Sequence, residues 1–229
     1  MKAKLKGLVD RVGDYLLDGD SHNIHRAMQR RALEDTSVFV EEHLYLTPHF
    51  RNKFDLLAAA LRAVQTPDGL YCEFGVHSGA TINFIAERAA GRTVFGFDSF
   101  QGLPEDWRPG VEKGHFAMAE LPKVRPNVRL IKGWFNESLP GFLREHPGVA
   151  SFIHVDCDLY SSTRTIFDLM GDRIVPGTVL NFDEFFNYPG WRRGEYLAFQ
   201  ELLAGRGLEF EYVGYVMNNE QVAVRITSA

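Results

Sequence analysis

Four carboxylates are concentrated in two short segments of the chain. Asp156 and Asp158 follow the apolar run 152–155, and Asp183 and Glu184 follow the apolar run 178–182. Side chains two positions apart on an extended segment share a face, and the carboxyl ends of parallel strands form the edge where open α/β sheets bind ligands. If the two strands are neighbours, these carboxylates converge. Such crowding is unfavourable unless a cation neutralises it or a proton is retained.

This cluster predicts a divalent metal ion held by Asp156, Asp183 and Glu184. Oxygen-only ligands favour a hard ion, magnesium first, with manganese or calcium as alternatives. A hydroxyl coordinated to such an ion loses its proton more readily, which suits group transfer to oxygen. The competing interpretation is that Asp158 caps the helix that follows it and Glu184 faces water.

A second constellation is a glycine-bearing turn at residues 73–80. Gly75 and Gly79 would let the backbone approach a ligand closely, and the helix that follows offers unpaired N–H groups. Asp98 ends the next strand, 25 positions after Glu73, where an acidic side chain can bind both ribose hydroxyls. His77 and Ala80 occupy the second and third glycine positions of a dinucleotide fingerprint, so a pyrophosphate is disfavoured. The turn therefore favours the nucleoside cofactor S-adenosylmethionine over a nicotinamide dinucleotide.

Helices and strands alternate from residue 70 onward, which positions both constellations at strand ends. Apolar runs predict strands at 70–74, 93–97, 128–131, 152–155, 178–182, 210–216 and 222–226, and helices at 80–90, 163–170 and 195–203. Asn218 and Asn219 form a turn signal between the last two apolar runs, which predicts a closing hairpin. We therefore expect a Rossmann-like α/β fold of the methyltransferase type. Its mainly parallel seven-stranded sheet would carry an antiparallel C-terminal hairpin and helices on both faces.

The first 48 residues or so carry no catalytic signature. A helix is expected near residues 24–42, and a second helix is expected from a stripe of apolar residues, namely Phe50, Phe54, Leu57, Leu61 and Val64. We interpret residues 1–48 as a helical extension or lid and residues 49–229 as an S-adenosylmethionine-dependent methyltransferase domain.

Composition narrows the classes of partner. The chain has 229 residues, 45% of them hydrophobic, and a formal charge of −5, with no basic run beyond Lys2, Lys4 and Lys6. Nucleic acid and membrane partners are therefore disfavoured, and a small-molecule acceptor is expected. Cys72 and Cys157 lie in apolar runs, which favours two reduced, packed thiols in a cytoplasmic protein. A homo-oligomer stays an open alternative.

Four ordered blocks of the sequence resemble the macrocin O-methyltransferase family, metal-dependent enzymes that methylate sugar hydroxyls on antibiotics. The blocks are residues 73–79, 98–104, 133–140 and 156–163, and the resemblance extends from about Tyr71 to Glu184. It implies a class I methyltransferase that transfers a methyl group from S-adenosylmethionine to a sugar or glycosylated natural product, with magnesium as the metal.

The resemblance also implies roles for individual residues. Glu73, Gly75, Ser78 and Gly79 would line the methionine part of the cofactor, Asp98 its ribose, and Ser99 and Trp134 its adenine. Val76, Gly133 and Asp156 complete the candidate cofactor set. Asp156, Asp183 and Glu184 would hold magnesium, Asp158 would be the general base, and Asp156 would share in catalysis. Family members usually carry two aspartates where this chain has Asp183 and Glu184, which leaves the coordination geometry open.

Three other functions remain as alternatives. A metal-dependent methyltransferase for catechol-like phenols uses similar carboxylates, but aliphatic hydroxyls are less acidic and need a base such as Asp158 more. A nicotinamide-dependent oxidoreductase is disfavoured by the missing glycines, and a silent nucleoside-binding protein by the intact carboxylates. The aromatic residues either line an acceptor pocket or pack a loop: Tyr160, Phe185, Phe186, Tyr188 and Trp191. We expect the histidines 77, 115 and 154 to be hydrogen-bonded side chains instead of bases or ligands.

Overall fold

The computed structural model describes residues 22–228, so the lysines 2, 4 and 6 lie outside the described residues. An eight-stranded mixed sheet forms its centre. The strands are β1 (His49–Phe50), β2 (Leu70–Phe74), β3 (Val94–Asp98), β4 (Val128–Lys132), β5 (Ala150–Val155), β6 (Val179–Phe182), β7 (Glu209–Val216) and β8 (Val222–Ser228). Their order is β1-β7-β8-β6-β5-β2-β3-β4, and β8 runs antiparallel to both of its neighbours.

Helices cover both faces of this sheet. They are α1 (Ile24–His43), α2 (Lys53–Arg62), α3 (Ala80–Arg88), α4 (Phe135–Glu145), α5 (Tyr160–Met170) and α6 (Glu195–Arg206). Alternate strand residues belong to two separate clusters of buried side chains, because successive side chains of a strand point to opposite faces. Cys72 and Phe74 pack with α1, α4, α5 and α6, whereas Tyr71 packs with α2 and α3. The expected Rossmann-like α/β fold with its antiparallel C-terminal hairpin is confirmed.

Local chemistry explains where several helices begin and end. The side chains of Asn23 and Asn52 accept hydrogen bonds from the backbone N–H groups of Arg26 and Asp55, which caps α1 and α2. Gly207 follows α6 with a φ of 66°, the left-handed conformation that commonly ends a helix. All six residues of β5 are buried, as expected for a central parallel strand.

Three details of the sequence-based expectation need correction. The sheet has eight strands instead of seven, because His49 and Phe50 pair in parallel with β7. Phe50 therefore lies in a strand and does not belong to the stripe of α2. Helix α4 was not predicted, because Pro140 and Gly141 disrupt its pattern; the helix accommodates Pro140 in its interior.

The cysteines, the membrane-span search and the long segment after β3 complete the description of the fold. Cys72 and Cys157 are both free and buried. Between residues 22 and 228, no helix combines the length and the apolar character that crossing a bilayer requires. The segment 99–127 between β3 and β4 contains no regular helix or strand and borders the cavity described below.

Candidate active site

A cavity of about 640 Å³ opens at the carboxyl edge of the sheet. The chain proceeds from β2 to β3 and β4 on one side and then crosses to β5 on the other, so the strand order reverses between β2 and β5. Such a switch point is where open α/β sheets form a ligand crevice. Residues that follow or end four strands line the cavity: Gly75, Asp98, Asp156 and Asp183.

The turn after β2 is in direct contact with the turn after β5. Gly75 has a φ of 92°, and a Cβ atom at this position would overlap the carbonyl oxygen of Asp156. A side chain is excluded here both by backbone conformation and by space. Gly75 thus allows the glycine turn to lie against the start of the carboxylate cluster.

The carboxylate of Asp98 organises the same turn. One oxygen accepts hydrogen bonds from the backbone N–H groups of Val76 and His77 at 2.9 and 2.8 Å, and the other accepts from Phe100 at 2.7 Å. A carboxylate offers about four acceptor positions, so these three bonds leave capacity for a further donor. Asp98 lines the cavity and is only partly buried.

Most members of the candidate cofactor set border the cavity, and three do not. Those that line it are Gly75, Val76, Ser78, Asp98, Ser99, Trp134 and Asp156. Glu73, Gly79 and Gly133 lie outside the lining. The buried carboxylate of Glu73 accepts a hydrogen bond from the Thr81 hydroxyl at 3.0 Å and contacts His154 Nδ1 at 3.1 Å. Glu73 therefore packs behind the cavity lining, where it holds the side chains of Thr81 and His154.

The predicted carboxylate cluster forms, with a lysine among its members. Asp156, Asp158, Asp183 and Glu184 all line the cavity. Lys53 Nζ lies 3.3 and 3.2 Å from the two carboxylate oxygens of Asp183 and 4.0 Å from Oδ2 of Asp156. His154 Nε2 lies 3.8 Å from Asp183 on the buried side.

The electrostatic environment shifts the pKa values of the carboxyl groups in this cluster in opposite directions. Burial opposes ionisation of Asp183, but its interactions with His154 and Lys53 outweigh this effect and hold its pKa at about 2. Burial, together with the charge of Asp183, raises the pKa of Asp156 well above its usual value. Burial raises the pKa of Asp158 to about 7, although Arg108 opposes the shift. One carboxylate is thus firmly ionised beside others that readily hold a proton.

Asp158 does not cap the helix that follows it. The N-cap residue of α5 is Leu159, and no side chain accepts a bond there. Asp158 is 8% exposed and has a φ of 65°. The capping interpretation is therefore wrong.

The donor set fits a hard divalent cation. One ligand atom each of His154, Asp156 and Asp183 lies within 4.8 Å of the others. Glu184, which the sequence predicted as the third metal ligand, is not in this group of three but lines the same cavity. Its buried Oε2 has no hydrogen-bond partner within residues 22–228. The His154 ring lies between Glu73 at 3.1 Å and Asp183 at 3.8 Å, and its interactions with these two acids outweigh burial and raise its pKa to about 10. The hard ligands in this group are the carboxylate oxygens of Asp156 and Asp183, which are the ligands that a hard divalent cation prefers.

The aromatic residues named from sequence are packing residues. Phe185, Phe186, Tyr188 and Trp191 are at most 4% exposed and lie outside the cavity lining. Tyr160 donates a hydrogen bond to Glu201 away from it. The aromatic side chains that do border the cavity are Trp107, Phe116, Trp134 and Phe135.

Several polar residues of the site were not identified from sequence. Lys53 lies 130 positions before Asp183, and no motif connects the two. Arg108 lines the cavity and pairs with Glu220 at 3.1 Å across the sheet edge. The fully buried Glu195 accepts a hydrogen bond from the Glu184 backbone N–H at 3.2 Å. Such pairings depend on the tertiary fold and leave no signal in local spacing.

Comparison with known proteins finds sequence similarity to methyltransferases over the segment that contains most of these residues. A family model described as "Methyltransferase domain" matches residues 72–185. The chain is similar to the 8-demethyl-8-(2,3-dimethoxy-alpha-L-rhamnosyl)-tetracenomycin-C 4'-O-methyltransferase of Streptomyces olivaceus, with 31% identity over 138 residues. The match covers 49% of this chain and 51% of the relative, so the chain spans about half the length of that protein.

Solved structures share the fold. CalS11, a calicheamicin methyltransferase, superposes with a TM-score of 0.60 at 23% identity, covering 75% of this chain and 77% of its own. The O-methyltransferase NovP superposes with a TM-score of 0.55 at 20% identity, covering 76% and 79%. At these identities the likeness concerns the fold.

Proposed function

We propose that this chain, whose residues 72–185 match a family model described as "Methyltransferase domain", transfers a methyl group from S-adenosylmethionine to a hydroxyl of a sugar or glycosylated natural product. The observation that carries the proposal is the arrangement of the cavity. A glycine turn with Asp98 forms one wall, and the cluster of Asp156, Asp158 and Asp183 forms another. One wall suits a nucleoside donor and the other suits activation of an acceptor oxygen.

The glycine-turn side is proposed to hold the cofactor. Asp98 retains capacity to accept a ribose hydroxyl, while its other bonds fix the turn at Val76 and His77. Ser99 is buried in the cavity wall, and Trp134 lines the same cavity, which suits an adenine ring. The absence of a Cβ at Gly75 keeps this wall close to the acceptor side.

The carboxylate side is proposed to bind magnesium through Asp156 and Asp183, with Glu184 beside them. When bound, the ion would make a coordinated hydroxyl more acidic. Asp158 borders the cavity and would act as the general base that accepts the proton of the acceptor hydroxyl. The sulfonium methyl group is already activated, so the remaining task of the chain is to hold the acceptor oxygen in line with it.

The acceptor is proposed to be a sugar-containing small molecule. The relative from Streptomyces olivaceus is named for methylation of a rhamnosyl group, which supports an aliphatic hydroxyl. Trp107 and Phe116 border the cavity and present aromatic surface of the kind on which sugar rings pack. The helical segment before residue 49 is proposed to act as an extension of this methyltransferase unit.

Calorimetric titration of S-adenosylhomocysteine tests the cofactor assignment, once with magnesium and once with EDTA. We expect micromolar binding in both conditions and no binding of NAD. Loss of S-adenosylhomocysteine binding in both would remove the proposal. An acceptor panel of glycosides and catechols, followed by mass spectrometry for the added methyl group, then distinguishes a sugar acceptor from a phenol.

A further inference from the structure

Lys53 lies at a position that helix physics disfavours for a cation. It is the first residue of α2, directly after the N-cap Asn52. The N-terminus of a helix carries partial positive charge, so a lysine in the first turn is unfavourable. Lys53 also lies outside the matched methyltransferase segment. Its placement therefore calls for a compensating contact elsewhere.

That contact is the acidic wall of the cavity. The ammonium group lies 3.3 and 3.2 Å from the two oxygens of Asp183 and 4.0 Å from Asp156. These are the two carboxylates proposed to bind the divalent ion. The Lys53 side chain is 35% exposed and lines the cavity, so its amine reaches the pair from the solvent side.

The ammonium group and a divalent ion compete for the same oxygens. A magnesium ion takes carboxylate oxygens at about 2.0–2.1 Å, closer than the ammonium group now lies. Two cations against the same carboxylate also repel each other. His154 already contacts Asp183 from the buried side at 3.8 Å, which leaves the cavity side for only one of them.

We propose that Lys53 is a tethered counter-ion, which pairs with Asp183 beside Asp156 while no divalent ion is bound and competes with that ion for these carboxylates. The long, partly exposed side chain can swing towards solvent when the carboxylates take a metal, because lysine has a flexible four-carbon stem. Lys53 therefore lowers the affinity of the site for cations, and only a cation that displaces the ammonium group from the carboxylates can bind. The inference rests on the metal part of the proposed function.

Magnesium titration of the cofactor-free protein tests this by calorimetry. We compare wild type with Lys53→Met and Lys53→Gln, which keep a side chain of similar length without the charge, and with Lys53→Arg, which keeps the charge. Lys132→Met removes an exposed lysine outside the cavity lining and serves as the matched control. Thermal unfolding in EDTA shows that each variant is folded.

The neutral variants should bind magnesium about tenfold more tightly or better, because a positive charge a few ångströms from the ion is removed. Lys53→Arg and Lys132→Met should stay near wild type. Equal or weaker binding in both neutral variants overturns the inference, and so does an absence of magnesium binding throughout. S-adenosylhomocysteine titrated in EDTA separates the two claims: its binding to wild type leaves the methyltransferase proposal standing even when the magnesium result fails.

Discussion

At the residue scale, Asp158 combines three properties that rarely occur together in a structural aspartate. It is buried, it caps no helix, and its backbone has a φ of 65°. Left-handed backbone outside glycine costs free energy and is most frequent at functional sites. Asp158 lines the cavity, and its carboxyl group does not cap α5.

Replacing Asp158 with asparagine isolates its role as a base. Asparagine tolerates left-handed backbone and has nearly the same shape, so the fold should be retained. We expect turnover to fall by about 10²- to 10⁴-fold, the usual contribution of a general base. The affinity for S-adenosylhomocysteine should change only a few-fold in calorimetry. Turnover close to wild type would contradict the assignment.

Gly75 gives a second prediction at this scale. In Gly75→Ala the new methyl group would overlap the Asp156 carbonyl at a φ of 92°, so strain and displacement add. We expect the free energy of unfolding to fall by about 2–4 kcal/mol. Gly91→Ala is the matched control, since it has a φ of 79° with no atom within 4 Å. Its loss should be about 1–2 kcal/mol. Urea unfolding compares them, and equal losses would show that the close approach does not matter.

At the element scale, the strands followed from the sequence because most are continuous apolar runs ended by turn residues. The elements that escaped detection lack such a signal. Helix α4 contains Pro140, and β1 has only two residues and depends on pairing with β7. Phe50 satisfied a helical period yet lies in β1, because edge pairing outweighs local periodicity.

Helix α1 packs into the core instead of lying loosely over it. Phe39 is 3% exposed and contacts the rings of Phe185, Trp191, Tyr196 and Tyr212. The hydroxyl of Thr36 on this helix also accepts a hydrogen bond from the backbone N–H of Asn187. Asn187 lies four residues after Asp183. It thereby holds the loop that follows the carboxylate cluster.

We expect Phe39→Ala to destabilise the protein as a whole. A buried phenylalanine replaced by alanine costs about 3–5 kcal/mol, and a single cooperative urea transition should shift by that amount. Val38→Ala, at a side chain that is 50% exposed on the same helix, should stay within about 0.5 kcal/mol of wild type. A separate early transition for Phe39→Ala would show that α1 unfolds independently of the sheet.

At the scale of the whole molecule, the polarity of the sheet explains which parts of the site could be predicted. Asp98, Asp156 and Asp183 all end or follow parallel strands, so one rule brought them to one edge. Lys53 is the first residue of α2, and Arg108 lies in the irregular segment 99–127. Their positions depend on tertiary packing, which no local rule describes.

The polarity of the sheet also predicts where a bound cofactor slows hydrogen exchange of the backbone amides. S-adenosylhomocysteine should slow hydrogen exchange in residues 75–80 and 98–104, which border the cavity at the carboxyl edge. Residues 146–149 and 175–178 precede β5 and β6 at the opposite edge, and their exchange should not change. Mass spectrometry of peptic peptides, with NAD as the control ligand, measures both regions. Equal protection at the two edges would mean that the ligand stabilises the whole fold without engaging the glycine turn, whereas protection confined to the carboxyl edge places it at the switch point between β2 and β5.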